Sequence, residues 1–163
     1  MAGIAQGLIG SIKTASGGTP TNLITNGSFS VNTNGWTFLE TQARDTSVFR
    51  SSPASYNTGS SDNDGAIALY TQNGAVAAGS SYSLSLWLRN PVSAQTFSIS
   101  LSLGTSTYNF TSASYSASTS WQYIKFENQL CTGNTNFSFY IYSSLSGAFN
   151  IDDVSLVLGA TAL

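Results

Sequence analysis

Large aromatic side chains stand where small polar ones would be expected in several strand-like segments. In Tyr82-Ser-Leu-Ser-Leu-Trp-Leu-Arg89, two-residue alternation puts Leu84, Leu86 and Leu88 on one face and Ser83, Ser85, Trp87 and Arg89 on the other. Phe137, Phe139 and Ile141 alternate likewise with Ser138, Tyr140 and Tyr142, and Tyr70 falls in a further such segment. A flat ring presented outward stacks on the apolar face of a pyranose, while Arg89 and neighbouring Asn and Gln side chains hydrogen-bond its hydroxyls. Trp87, Arg89, Tyr140, Tyr142 and Tyr70 are therefore the candidate glycan-binding residues. The competing structural reading of the same rings is that they cover the edge of the core, or lie beneath a loop or a neighbouring subunit.

Bond-making chemistry finds less support. The chain contains no histidine, which removes Ser-His-Asp and Cys-His catalysis, His-ligated zinc and histidine pH switching. Cys131, its one cysteine, has no thiol partner within the chain and is expected to be a buried thiol. No pair of acidic residues suggests the facing carboxylates of a glycoside hydrolase. Asp62-Asn63-Asp64-Gly65 has an oxygen-rich look but lacks the rest of a calcium loop, so it reads as a polar turn. Asn26-Gly-Ser, Asn109-Phe-Thr and Asn136-Phe-Ser are acceptor sequons of a kind expected by chance in so Asn- and Ser-rich a chain. No catalytic residue is assigned, and the expected role is non-enzymatic.

The elements that must position the aromatics are strands. From Asn22 onward, apolar residues alternate with Ser and Thr between turns of Gly, Asn and Ser. Tyr82–Arg89, Phe97–Leu103 and Phe137–Tyr142 are the clearest strands, joined by Leu23–Thr25, Trp36–Thr41, Ala66–Gln72, Thr107–Thr111, Trp121–Glu127 and Phe149–Leu158. About nine or ten strands without an internal helix predict an all-β, two-sheet antiparallel sandwich. The Ser and Thr faces should meet solvent. With 163 residues the chain has room for one domain, and only 7% of its residues are charged, at a net charge of -2. That leaves no basic stripe for nucleic acid.

The division expected is an arm and linker over residues 1–21, a sandwich over 22–158 and a tail over 159–163. Ile4, Leu8, Ile9 and Ile12 would form one apolar stripe on a short helix, although Gly3, Gly7 and Gly10 weaken it. The segment is too short to span a membrane and lacks the basic start of a secretion signal, and Thr14–Thr21 forms a Gly- and Pro-containing tether. It reads either as a frayed tail or cryptic signal, or as an arm that orders on a partner.

Asn22-Leu-Ile-Thr-Asn-Gly-Ser-Phe-Ser30 followed by Gly35-Trp36, then Tyr82–Arg89, Thr119-Ser-Trp-Gln-Tyr-Ile-Lys-Phe126 and the closing Phe149-Asn-Ile-Asp-Asp-Val-Ser-Leu156, resembles the carbohydrate-binding modules of the family 4, 9 and 22 type. The resemblance covers Asn22 to Leu158 and implies a galactose-binding-like jelly roll. It also implies a structural calcium between the opening and closing strands, with Asp152 as the closing carboxylate. Ser28 and Ser30 stand where that family usually has acidic residues, which removes charge a hard cation needs, so the expectation is that Asp152 and Asp153 accept hydrogen bonds from the opening turn instead.

The layout of apolar arm, tether and sandwich is also similar to short virion proteins of tailed phages. The expected function is accordingly a non-catalytic component of a larger assembly, present in many copies at a virion surface. Residues 1–20 would anchor it on other structural proteins, and the sandwich would bind cell-surface polysaccharide. The alternative is a free-standing or secreted carbohydrate-binding module.

Overall fold

The computed structural model describes residues 20–38, 43–51, 53–57, 67–72, 75–90, 97–112, 118–133, 135–143 and 148–159. The arm residues Ile4, Leu8, Ile9 and Ile12, and the turn Asp62–Gly65, lie outside the described residues.

Among the described residues, ten strands run in chain order as β1 (Trp36–Phe38), β2 (Ala43–Asp45), β3 (Ser55–Asn57), β4 (Ile67–Gln72), β5 (Ser81–Asn90), β6 (Phe97–Leu103), β7 (Ser106–Ser112), β8 (Ser118–Leu130), β9 (Phe137–Ser143) and β10 (Asn150–Leu158). No helix occurs among the described residues, so none is long and apolar enough to cross a membrane. The strands form two antiparallel sheets, ordered β1-β4-β9-β6-β7 and β2-β3-β10-β5-β8. This is the expected all-β sandwich.

Alternation explains how the layers meet. Leu84, Leu86 and Leu88 of β5 face Phe97, Ile99, Leu101 and Leu103 of β6 and Phe137, Phe139 and Ile141 of β9 across one buried core. The opening motif joins that core. Phe29 is fully buried, with its ring 5.1 Å from Trp36 and 5.3 Å from Tyr56, and Trp36 meets Phe139 edge-on at 6.2 Å. Cys131 is a buried free thiol, its pKa raised by burial.

Leu23–Thr25, expected as a strand, is not one. The segment still occupies the edge of β10 beyond Ile151, where β3 no longer pairs. Leu23 N–H donates to the Leu156 carbonyl at 2.8 Å, and Val154 N–H donates to that of Gly27 at 3.0 Å. The Asn22 side chain stands in for missing ladder bonds, accepting from Leu156 N–H at 2.9 Å and donating to the Val154 carbonyl at 3.1 Å. Gly27 makes the approach possible, since a Cβ there would lie 2.0 Å from the Val154 carbonyl oxygen.

The expectation that every serine face meets solvent is corrected. Ser85 and Ser155 are buried beside this segment, Ser83 is buried with its Oγ donating to the Gly159 carbonyl at 2.8 Å while accepting from Asn128 N–H at 3.1 Å, and Ser100 on the other sheet is buried as well.

Candidate functional site

The candidate residues divide between the two sheets. Trp87 and Arg89 lie on β5, whereas Tyr140 and Tyr142 lie on β9 and Tyr70 on β4 of the other sheet. Trp87 and Tyr140 thus belong to opposite sides of the sandwich.

On the β1-β4-β9-β6-β7 sheet, Tyr140 is 38% exposed. The ladder sets it in register with Thr37, Leu69, Ser100 and Asn109, one residue from each strand, and of these Ser100 is buried at 3% exposure. A neighbouring row contains Ile67, Tyr142, Ser98 and Thr111, and another Thr71, Ser138, Ser102 and Thr107. Within the last row, the Ser102 and Thr107 hydroxyls share a hydrogen bond at 3.1 Å. No residue of these five strands is charged. Tyr70 stands in register with Phe139 and Trp36 on β4, and its side chain, like that of Tyr142, lies outside the described residues.

On the other sheet, Trp87 pairs in register with Tyr123 of β8, a residue missed in the sequence, and their ring centroids are 5.1 Å apart. The alternation of Tyr123 with the inward Ile124 was the available signal, but only the β5–β8 register brings the two rings together. Arg50 lies over the Trp87 ring at 4.5 Å, so a sugar stacking on that face would have to displace a guanidinium. Arg89 donates through Nε to the Thr119 carbonyl at 2.9 Å. Trp87 is thus partly enclosed by Arg50 and Tyr123, and Tyr140 is the more open ring.

Asp152 tests the calcium expectation. It is fully buried, and its Oδ2 accepts the Arg50 and Ser51 N–H groups, both at 2.9 Å, while Oδ1 accepts that of Asp153 at 2.8 Å. A calcium ion requires six to eight oxygen ligands, and three inward-pointing N–H donors occupy the place of such ligands. The residues therefore do not fit the cation, and among the described residues no group of three His, Cys, Asp or Glu side chains could hold a metal. The hydrogen-bonding alternative holds for Asp152, but its donors come from residues 50–51 and 153 and not from the opening turn. Burial is the chief cause that raises the Asp152 pKa to about 6, against the opposing effect of those N–H donors.

Comparison with known proteins agrees with this architecture. The family model for carbohydrate binding domains matches residues 21–147. The C-terminal family 22 carbohydrate binding module of Clostridium thermocellum Xyn10B is similar in structure at TM-score 0.67 and 14% identity, over 83% of this chain and 92% of that one. The xylan-binding family 22 domain of Paenibacillus barcinonensis Xyn10C is similar at TM-score 0.66 and 15% identity, over 90% and 100% of the two chains. The enzymatically active domain of tailspike protein 4 from bacteriophage CBA120 is similar at TM-score 0.66 and 19% identity, over 84% of this chain but only 21% of that one. At these identities the structural matches establish the fold alone. No curated protein sequence matches the chain.

Proposed function

We propose, on the premise that this chain belongs to the carbohydrate binding domain family, that it binds a neutral polysaccharide without catalysis across the outer face of the β1-β4-β9-β6-β7 sheet. The observation that carries this reading is the exposed Tyr140 ring next to the hydroxyl row of Ser138, Ser102 and Thr107, on strands that bear no charge. A neutral polymer laid on a charged face would strip water from ions it cannot pair. On this face its hydroxyls exchange water for Ser and Thr partners, and a ring face of the sugar covers Tyr140. Five strands at ~4.8 Å spacing give about 19 Å from first to last, room for several sugar residues.

Three of the similar domains are xylan-binding, so xylan heads the panel to be tested. Calorimetric titration of neutral polysaccharides should show Tyr140→Ala weakening the affinity about threefold to tenfold. Trp87→Ala should leave it unchanged. A polysaccharide that binds both variants as it binds wild type would sink the assignment of this face.

The setting proposed is a multicopy component of a virion surface, anchored through residues 1–20. The similarity to a tailspike domain favours it, because there a sandwich of this fold is about a fifth of a longer virion chain. Weak contacts repeated on a particle would gain avidity. Deleting residues 1–13 should then abolish incorporation into particles and leave polysaccharide affinity intact. A deletion variant that still incorporates, or a wild-type chain found only free in the medium, would favour a secreted module.

A further inference from the structure

On the opposite side of the sandwich, an open depression of about 450 Å³ lies between the opening segment and the Trp87–Tyr123 pair. The proposed polysaccharide face does not use it. Its volume falls within the roughly 300 to 1,000 Å³ of small-molecule sites. The floor is the bulge in β10 between Asp152 and Ser155, where Asp153 adopts a left-handed backbone at φ 48°.

Three features of this depression need a ligand of one kind. Ser155 is 7% exposed, and its buried Oγ has no hydrogen-bond partner among the described residues. A buried hydroxyl left unpaired is uncommon and unfavourable in native proteins. Ser155 pairs with Ser85, two residues before Trp87 on the same face of β5, and both serines line the depression. Asp153 takes the Ser51 hydroxyl on Oδ2, and among the described residues no hydrogen bond engages its Oδ1. At the wall, Tyr123 is 41% exposed. The occupant must therefore donate hydrogen bonds to a carboxylate, pair a hydroxyl at the floor and offer an apolar face to an aromatic ring. An anion would be repelled by Asp153, and a plain hydrocarbon would leave both polar groups unpaired.

We infer that this depression is a second carbohydrate site, which takes the ring of a single neutral sugar or the terminal residue of a short oligosaccharide. Vicinal hydroxyls of the ring donate to Asp153, another pairs with Ser155 Oγ, and its C–H face covers Tyr123. The site lies on the other sheet from Tyr140, so the two can be occupied together and can fail separately.

The test follows backbone amide shifts of the full chain during titration with D-xylose, D-glucose, D-galactose and N-acetyl-D-glucosamine. At least one sugar should give saturable shifts in residues 22–28, 123 and 153–155. Ser155→Ala should weaken that sugar at least tenfold without loss of stability, because it removes an unpaired buried hydroxyl. Tyr123→Ala should weaken it about threefold, and Tyr140→Ala not at all. Should Ser155→Ala fail to fold, Asp153→Asn serves, since asparagine tolerates the left-handed backbone. The inference is overturned if none of the four sugars shifts these residues, or if the shifts survive the Ser155 or Asp153 change together with Tyr123→Ala. Loss of polysaccharide binding in Tyr140→Ala alongside either result would leave the function of the first face standing.

Discussion

The two sheets share one alternating grammar of apolar and Ser or Thr residues, yet they divide the charge of the molecule unevenly. Arg44 and Asp45 on β2, Arg89 on β5, Lys125 and Glu127 on β8, and Asp152 and Asp153 on β10 all belong to one sheet, with Arg50 in the loop that follows β2. The strands of the other sheet have none. The charged sheet is also the one the opening segment lies against. Its β10 has a free edge that the opening segment fills, and Arg44 fastens that segment by donating to the carbonyls of Phe29, at 2.7 Å, and Ser30. Charge thus serves to hold chain over one sheet, while the other is left neutral and suited to a neutral ligand.

The most direct way to break this contrast is to lift the overlay. Gly27→Ala sets a methyl group against the Val154 carbonyl oxygen, a backbone atom that cannot swing aside. We expect a loss of about 3 kcal/mol, at the upper end for overpacking, read from the urea unfolding midpoint. A change within about 0.5 kcal/mol would mean that the opening segment contributes little to the fold.

The next effect tests the cost of burying charge on the same strand, β10. Asp152 titrates near 6 in the folded chain against an ordinary 3.8, so between those values the folded state holds a proton that the unfolded state releases. Its contribution to stability is complete below 3.8 and is lost as pH rises through about 6. Lowering the pH from 7 to about 4 should therefore raise the unfolding free energy by about 2 kcal/mol. Asp152→Asn should abolish that rise. Asp45 does not confuse the window: burial opposes its ionisation, but hydrogen bonds from Ser47, Asn150 and Val48 outweigh it and hold the pKa at about 2. Its contribution is lost only as pH falls below 3.8 toward 2.

The sequence made the long strands legible because Leu84 to Leu88 and Phe97 to Leu103 alternate without interruption. It concealed β2 and β3, whose three residues each are too few to display a period and whose place depends on pairing with one another and with β10. The burial of Ser83, Ser85 and Ser155 was hidden for a related reason, since it depends on what crosses above the strand and not on the strand itself. For the candidate site, the sequence marked Trp87 and Tyr140 but could not assign them to different sheets. That separation follows from strand order, which local alternation does not encode.

The smallest expected effect discriminates most sharply between the two faces. Attraction between exposed charges is screened over about 10 Å at ~0.1 M salt. An acidic polysaccharide held by Arg89 and Lys125 would therefore lose affinity steeply as salt is raised. A neutral chain lying on the Tyr140 rows meets no charge on any of the five strands, so its affinity should change less than about twofold between low and high salt. Calorimetric titration at both salt concentrations checks this. A steep fall would move polysaccharide binding to the β2-β3-β10-β5-β8 sheet, and Arg89→Gln together with Lys125→Gln should then flatten the dependence. Salt-insensitive binding that Tyr140→Ala weakens would instead hold the polymer to the uncharged sheet, where a tyrosine ring and neighbouring serine and threonine hydroxyls provide the contact.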